Sequence, residues 1–248
     1  MRKDPLLRNH AQGSRSPLFE SRSAREPVEA WQSLHYAEER QVFEPVRRKT
    51  PLRPPEWFKQ VVCGIMLSDG SIRMNGKQAL LSIQQTHQEL TQEIWEMCIQ
   101  LNLVLSGIHI INRQNKKIVY SFQTLSLPFF TSLYNDWYKS IDNKNIKVLP
   151  LNLDFLFTPL AIAFLIMGDG SWDKSGSRII IHLNNFTLIE VNRIQSILLS
   201  KFDISSYLVK TPHSDKDRGY EIPARDVGKV RALVSDHIYP TLKYKIGL

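Results

Sequence analysis

The sequence predicts an α+β fold built from one unit used twice. Two observations carry this. An apolar run ending in an Asp-Gly pair occurs twice, and each copy precedes the same succession of strand-like and helix-like patterns. The runs are Phe58 to Leu67, ending in Ser68-Asp69-Gly70-Ser71, and Phe155 to Met167, ending in Gly168-Asp169-Gly170-Ser171. The two aspartates stand 100 residues apart. A duplicated unit within one chain implies pseudo-twofold symmetry around a shared core.

Runs of this length that finish at a glycine read as helices closed by a left-handed cap residue. Next comes period-two alternation, in Leu80-Leu81-Ser82-Ile83-Gln84 and again in Ile180-Ile181-His182-Leu183-Asn184. Leu81 and Ile83 share one strand face, as do Ile181 and Leu183, which leaves Ser82, Gln84, His182 and Asn184 on the other. An amphipathic helix follows in each half, with Leu90, Ile94, Cys98 and Leu101 on one face, then Leu188, Val191, Ile194 and Leu198. Two more strands are expected in each half, at 107–112 and 117–124, then at 206–211 and 219–223. Closing helices are expected near 127–139 and 226–237. The plan per half is αββαββα.

Residues 1–55 read differently. Pro5, Pro17, Pro27, Pro45, Pro51, Pro54 and Pro55 interrupt them, and apolar residues lack a sustained period. A mostly irregular extension is expected, with a short helix near 28–40. Arg2, Arg8, Arg15, Arg22 and Arg25 suit an organelle transit peptide, but Asp4, Glu20 and Glu26 do not. The expected division is 1–55 as the extension, 56–150 as the first repeat and 151–248 as the second.

Of the 248 residues, 42% are hydrophobic and 23% charged, enough apolar content for a real core. The net charge of +8 attracts anionic partners without selecting among them. Cys63 and Cys98 are too few and too far apart for a zinc ribbon or disulfide framework; buried free thiols are expected. No apolar run reaches the ~18–20 residues needed to span a bilayer.

The segments Val62-Cys63-Gly64-Ile65-Met66-Leu67-Ser68-Asp69-Gly70 and Ile162-Ala163-Phe164-Leu165-Ile166-Met167-Gly168-Asp169-Gly170 resemble the two motifs of LAGLIDADG homing endonucleases. Lys147-Val148-Leu149-Pro150, Thr158-Pro159-Leu160-Ala161 and Tyr239-Pro240-Thr241-Leu242-Lys243-Tyr244-Lys245-Ile246 resemble the monomeric, intron-encoded branch. The resemblance covers roughly residues 56–248. The motif glycine is Gly64 in the first copy but Phe164 in the second. The first acidic position is apolar in both, as Leu67 and Met167, while the second is filled by Asp69 and Asp169.

The resemblance implies that the motif helices pack side by side at the centre, with Gly64, Ser68, Ala161 and Gly168 permitting close approach. Asp69 and Asp169 then meet below a saddle made of two antiparallel sheets. Paired carboxylates repel, and each lies at a helix C-terminus where the macrodipole is already negative. Divalent cations resolve that placement, and oxygen ligands suit Mg²⁺ or Mn²⁺. The implied chemistry is metal-assisted phosphodiester hydrolysis, with Ser68 and Gly168 offering main-chain carbonyls. Lys147 and Lys245 match positions that stand near the scissile phosphate.

The implied partner is double-stranded DNA, read in the major groove by a chain acting as a monomer. Candidate contacts are Arg73, Lys77, Ser82, Gln84, Arg113, Lys116 and Lys117 from the first half. From the second they are Arg178, His182, Asn184, Lys210, Lys216 and Arg218. Unlike residues at matched positions favour an asymmetric target. The same resemblance admits a second function, an intron maturase acting on RNA. It also implies organelle residence, in a mitochondrion before a plastid.

Overall fold

The structure, a computed structural model, describes residues 53–112, 114, 116–209 and 219–248. Helix α1 (Glu56–Leu67) leads into strands β1 (Ser71–Asn75) and β2 (Gln78–Gln85), helix α2 (Gln88–Gln100), strands β3 (His109–Ile111) and β4 (Val119–Gln123), and helix α3 (Pro128–Trp137). A hairpin, β5 (Tyr138–Ile141) and β6 (Lys144–Lys147), and a short helix α4 (Leu153–Leu156) lead to the second set. That set is α5 (Pro159–Asp169), β7 (Gly170–Asp173), β8 (Arg178–His182), α6 (Leu188–Phe202), β9 (Tyr207–Leu208), β10 (Gly219–Ile222) and α7 (Ala224–Val234). A 3-10 segment, Pro240–Ile246, follows. The αββαββα plan therefore occurs twice, as the duplicated sequence pattern requires. The two sheets have matching strand orders, β1-β2-β4-β3 and β7-β8-β10-β9, and all their pairings are antiparallel.

Helices α1 and α5 pack together at the centre. Every α5 residue from Leu160 to Met167 is buried. A helix apolar on all sides belongs inside a core, and α5 is covered by α1, α7, both strands of the β7–β8 hairpin and the 3-10 segment. A Cβ on Gly64 would lie 2.3 Å from the Ala161 carbonyl oxygen and 2.6 Å from Phe164 Cβ, so α1 approaches α5 to backbone contact only because that position is glycine. A Cβ on Gly168 would lie 2.4 Å from Ser68 Oγ. Leu67 and Met167 are buried, which explains their apolar character at the first acidic position.

Several local expectations need correction. The motif helices do not end on a left-handed glycine: Gly170 has φ −81° and ψ 150°, and Gly70 is not among the positive-φ residues. These glycines are needed for space instead. A Cβ on Gly70 would meet Ile65 Cγ2 at 2.3 Å, and one on Gly170 would meet the Ile166 carbonyl oxygen at 2.5 Å. The apolar run from Phe155 is not one helix, because α5 starts at Pro159, a residue with no N–H to give, behind an N-cap on Thr158. The helix expected over 127–139 ends at Trp137. Tyr138 turns extended to pair with Lys147, and its hydroxyl accepts from Ile72 N. Strand β8 stops at His182, which puts Asn184 in a turn. Leu188 is half exposed at the first turn of α6, while Val191, Ile194 and Leu198 keep the expected buried face. Cys63 and Cys98 are buried free thiols. No described helix is long and apolar enough to cross a membrane.

The link between the two sets is tied down by α6. Thr187 and Glu190 form a reciprocal capping box. The other Glu190 carboxylate oxygen accepts from Leu149 N at 2.8 Å, and Arg193 donates to the carbonyls of Pro150 and Leu151. Thr187→Ala is expected to cost about 1 kcal/mol, the usual worth of an N-cap side chain. A denaturant melt whose midpoint does not move would contradict that role.

Candidate functional site

The C-terminal ends of α1 and α5 bring Asp69 and Asp169 together. Asp69 is exposed and Asp169 half-buried. Burial pushes the Asp169 carboxyl up from 3.8 to about 7, and the Asp69 charge adds to the rise; Lys245 and Lys147 oppose it. The two carboxyl groups are therefore electrostatically coupled, as the duplicated motif requires of them.

Both lysines converge on the same place from distant parts of the chain. Lys147, at the end of β6, donates through Nζ to the carbonyls of Gly70 at 2.7 Å, Met66 at 2.9 Å and Ser68 at 3.4 Å. Lys245, in the 3-10 segment, donates to Met167 O at 2.6 Å and Gly168 O at 2.8 Å. Each lysine thus covers the free carbonyls at one motif helix's C-terminus, where the macrodipole favours a cation. Burial lowers both ammonium groups to about 8, against the attraction of Asp169 and Asp69. Ser68 turns its hydroxyl back onto the carbonyls of Gly64 and Ile65, so its main-chain oxygen is the group it offers outward.

The donors here are carboxylate and carbonyl oxygens. That set suits a hard divalent cation such as Mg²⁺, Mn²⁺ or Ca²⁺ better than a soft one. Among the described residues no group of three or more His, Cys, Asp and Glu gathers into a metal cage. Two carboxylates that resist double ionisation, with backbone oxygens beside them, fit ions completed by ligands from a bound phosphodiester.

The outward faces of the two sheets differ. On the first, register places Ser71, Arg73 and Asn75 of β1 beside Ser82, Leu80 and Gln78 of β2, and Gln123 and Ser121 of β4 beside Ser82 and Gln84. Arg73 Nη2 donates to Gln123 Oε1 at 2.9 Å. Gln84, Lys77, Lys116 and Lys117 are exposed, whereas Ser82 is only 8% exposed. It sits in a polar hollow of about 180 Å³ lined also by Gln84, Ser106, His109, Ser121, Phe122 and Gln123. On the second sheet, His182 is exposed with Nε2 3.1 Å from Ser171 Oγ. Arg178 is bound by two carboxylates, with Nε to Asp173 Oδ2 at 2.7 Å and Nη1 to Glu221 Oε2 at 2.6 Å. Arg113, Lys210, Lys216 and Arg218 lie outside the described residues.

A family model described as the LAGLIDADG DNA endonuclease family matches residues 59–222, more than half of the chain. The chain belongs to this family. Among curated LAGLIDADG relatives, it is 28% identical over 198 residues to the cytochrome b mRNA maturase bI2 of Saccharomyces cerevisiae, covering 75% of this chain and 46% of that one. It is 25% identical over 205 residues to the DNA endonuclease I-ChuI of Chlamydomonas applanata, covering 76% of this chain and 94% of that one. The chain thus spans less than half the length of the yeast maturase. Among solved structures, the homing endonuclease I-WcaI bound to its DNA recognition sequence superposes with a TM-score of 0.69 at 21% identity, covering 82% of this chain and 94% of that one. That likeness establishes the LAGLIDADG fold.

Within this LAGLIDADG frame the structure adds two residues that the sequence reading passed over. Gln85 is buried on the inner face of β2, and its Nε2 lies 3.9 Å from where a Gly168 Cβ would be. His87 stands at the N-cap position of α2 without a side-chain capping bond, and its pKa is lowered by burial and by Lys245 and Lys117. The signal was there in Gln84-Gln85-Thr86-His87, a polar run leaving an apolar strand, but alternation alone assigns Gln85 to the core.

The shifts carry a pH consequence for the free protein. A carboxyl raised from 3.8 to about 7 favours the fold when protonated, so its stabilisation is complete below the ordinary carboxylate range. It is lost as pH rises through about 7. Asp169→Asn removes that loss. In EDTA without DNA, the variant is expected to gain on the native chain between pH 5 and pH 8, by on the order of 2 kcal/mol after allowance for solvent screening. Parallel stability curves for the two proteins across that range would refute the coupling.

Proposed function

We propose that this chain is a site-specific endonuclease that hydrolyses phosphodiester bonds in double-stranded DNA at a long, asymmetric target. The observation that carries the reading is the meeting of Asp69 and Asp169 at adjacent helix ends, flanked by Lys147 and Lys245. Residues 56–150 and 151–248 would act as its two repeats, each placing one sheet over half of the target. Arg73, Lys77, Gln84, Lys116, Lys117, Arg178 and His182 are the proposed groove and backbone contacts, with Ser82 reached through its hollow. Asn184 joins them from a turn.

Asp69 and Asp169 would hold divalent cations, helped by the Ser68 and Gly168 carbonyls, each of which keeps a lone pair beside its lysine. The chemistry such ions would supply when bound is Lewis acidity toward the phosphate and toward the attacking water. The chain's own work is positional. The carboxylates are fixed by helices in backbone contact. An ammonium group has three N–H donors, and Lys245 spends two on its helix carbonyls, which leaves one for a phosphate oxygen. Lys147 must exchange its long contact to Ser68 O to do the same. Both lysines would then stabilise charge that builds on the phosphate. The neighbour I-DmoI has been solved in complex with DNA and Ca²⁺, and variants of it with target DNA in the presence of Mg²⁺ or Mn²⁺, which supports a divalent ion for this fold.

A second reading is kept because two relatives, from Saccharomyces cerevisiae and Debaryomyces hansenii, are cytochrome b mRNA maturases. The chain would then bind intron RNA, and a mitochondrion is the proposed compartment on the same ground. Incubating the purified chain with a randomised duplex library, in Mg²⁺ and in EDTA, separates the two. Metal-dependent cuts at a defined site support the nuclease. A folded chain that binds intron RNA and cuts no duplex rejects it in favour of the maturase.

A further inference from the structure

We propose that Asp173, Arg178 and Glu221 form a recognition unit for one G·C base pair in the half-target bound by the second sheet, with Arg178 donating to guanine and a carboxylate accepting from cytosine. The inference rests on the nuclease reading above and names part of the substrate it takes.

The three side chains come from three adjacent strands, β7, β8 and β10. Asp173 and Arg178 are direct cross-strand partners, and Glu221 lies diagonally across from Arg178, opposite Ile180. All three project from the outward face, since the alternate residues Ile179, Ile181, Tyr220 and Ile222 are buried beneath them. Arg178 keeps 39% of its side-chain surface, while the carboxylates keep 20% and 23%. Hydrogen bonds from Ser175 and Arg178 hold the Asp173 carboxyl down at about 2, so it is ionised at neutral pH.

Two carboxylates around one guanidinium leave a net charge of −1. A phosphate would be repelled by that arrangement, so simple backbone attraction is a poor use of Arg178. As a structural clamp the cluster is also weak, because ion pairs at a solvated surface add little to stability. Orientation is what the arrangement provides. A guanidinium has five N–H donors in a rigid plane, of which Nε and Nη1 each spend one on a carboxylate, leaving three. An arginine fixed before binding loses less side-chain entropy when it binds. The major-groove edge of a G·C pair presents two acceptors on guanine, N7 and O6, beside one donor, the cytosine amino group. Neighbouring N–H donors and a carboxylate acceptor form the complement of that pattern. The matched positions of the first sheet lack it: 100 residues earlier Asp173 is replaced by Arg73 and Arg178 by Gln78, and Arg73 donates to the neutral Gln123 amide, so the unit belongs to the second half alone.

The test is target selection from a randomised duplex library in Mg²⁺, with the cut products sequenced for the native full-length chain, Arg178→Gln, Arg178→Lys and Glu221→Gln. The native chain is expected to require G·C at one position in one half of its target. Arg178→Gln should lose about 10- to 100-fold of that discrimination, at that position only. Arg178→Lys keeps the charge but not the planar fork, so it should relax the same position even if the glutamine variant folds poorly. Glu221→Gln should relax it less. Unchanged base preferences in folded Arg178→Lys and Glu221→Gln overturn the proposal, as does a uniform loss of affinity across sequences, the mark of a phosphate contact. A native chain that cuts a defined site with no required G·C pair overturns it alone. A native chain that cuts nothing overturns the nuclease reading and this inference with it.

Discussion

Asp169→Asn is expected to reduce DNA cleavage by about 10³-fold or more, because a charged group serving a metal-assisted transition state is worth several kcal/mol. Asp69→Asn should do the same. The substitution is nearly isosteric and removes one negative charge from below the phosphates, so DNA affinity should hold or rise slightly. Single-turnover cleavage in Mg²⁺, paired with gel-shift binding in Ca²⁺, separates the two effects. The two variants are not expected to behave alike without DNA. Asp169 is half-buried and its carboxyl raised to about 7, mostly by that burial, whereas Asp69 is exposed, so Asp169→Asn should stabilise the free protein at pH 8 more than Asp69→Asn does. Cutting retained by either purified variant would sink the two-carboxylate mechanism.

Gly64→Val is expected to produce the largest loss of stability. Even the first added carbon would sit 2.3 Å from the Ala161 carbonyl oxygen and 2.6 Å from Phe164 Cβ. Neither atom is the movable end of a side chain, so α1 and α5 must separate at the centre of the fold. Overpacking of this kind costs about 3 kcal/mol, which for a chain of this size lowers the melting temperature by roughly 6–12 °C. Separation also displaces Asp69 from Asp169, so cleavage should fall even below the melting transition. Gly228→Ala supplies the contrast. That glycine lies inside α7 with nothing within 4 Å of a Cβ, so alanine should stabilise by about 0.5–1 kcal/mol. If both variants melt together with the native chain, close helix contact is not what Gly64 provides.

The fold and the aspartate pair proposed for catalysis were legible in the sequence because both depend on local pattern. Period-two and period-3.6 alternation, repeated at a fixed offset of 100 residues, mark which faces turn inward. An eight-residue apolar run from Leu160 to Met167 marks the central helix. Asp69 and Asp169 stand out because a stability-driven sequence would not end two buried helices on carboxylates. The matching offset misled at Asn184, since β8 stops at His182 while β2 runs on to Gln85, and equal spacing does not guarantee equal strand length.

What only the tertiary structure decided is which polar groups meet. Lys147 and Lys245 were picked out by resemblance, but their seats on the carbonyls of α1 and α5 join residues 77 to 81 positions apart. The clamp on Arg178 depends on strand order and register, which bring Glu221 beside it across 43 residues. The glycines after each motif were placed correctly, yet their reason is contact with the helix's own last turn, not a left-handed cap. Alternation tells a side chain which face to take, because that choice is set by the apolar neighbours along its own strand. The partner it finds there is set by a different strand, and no pattern along one segment encodes it.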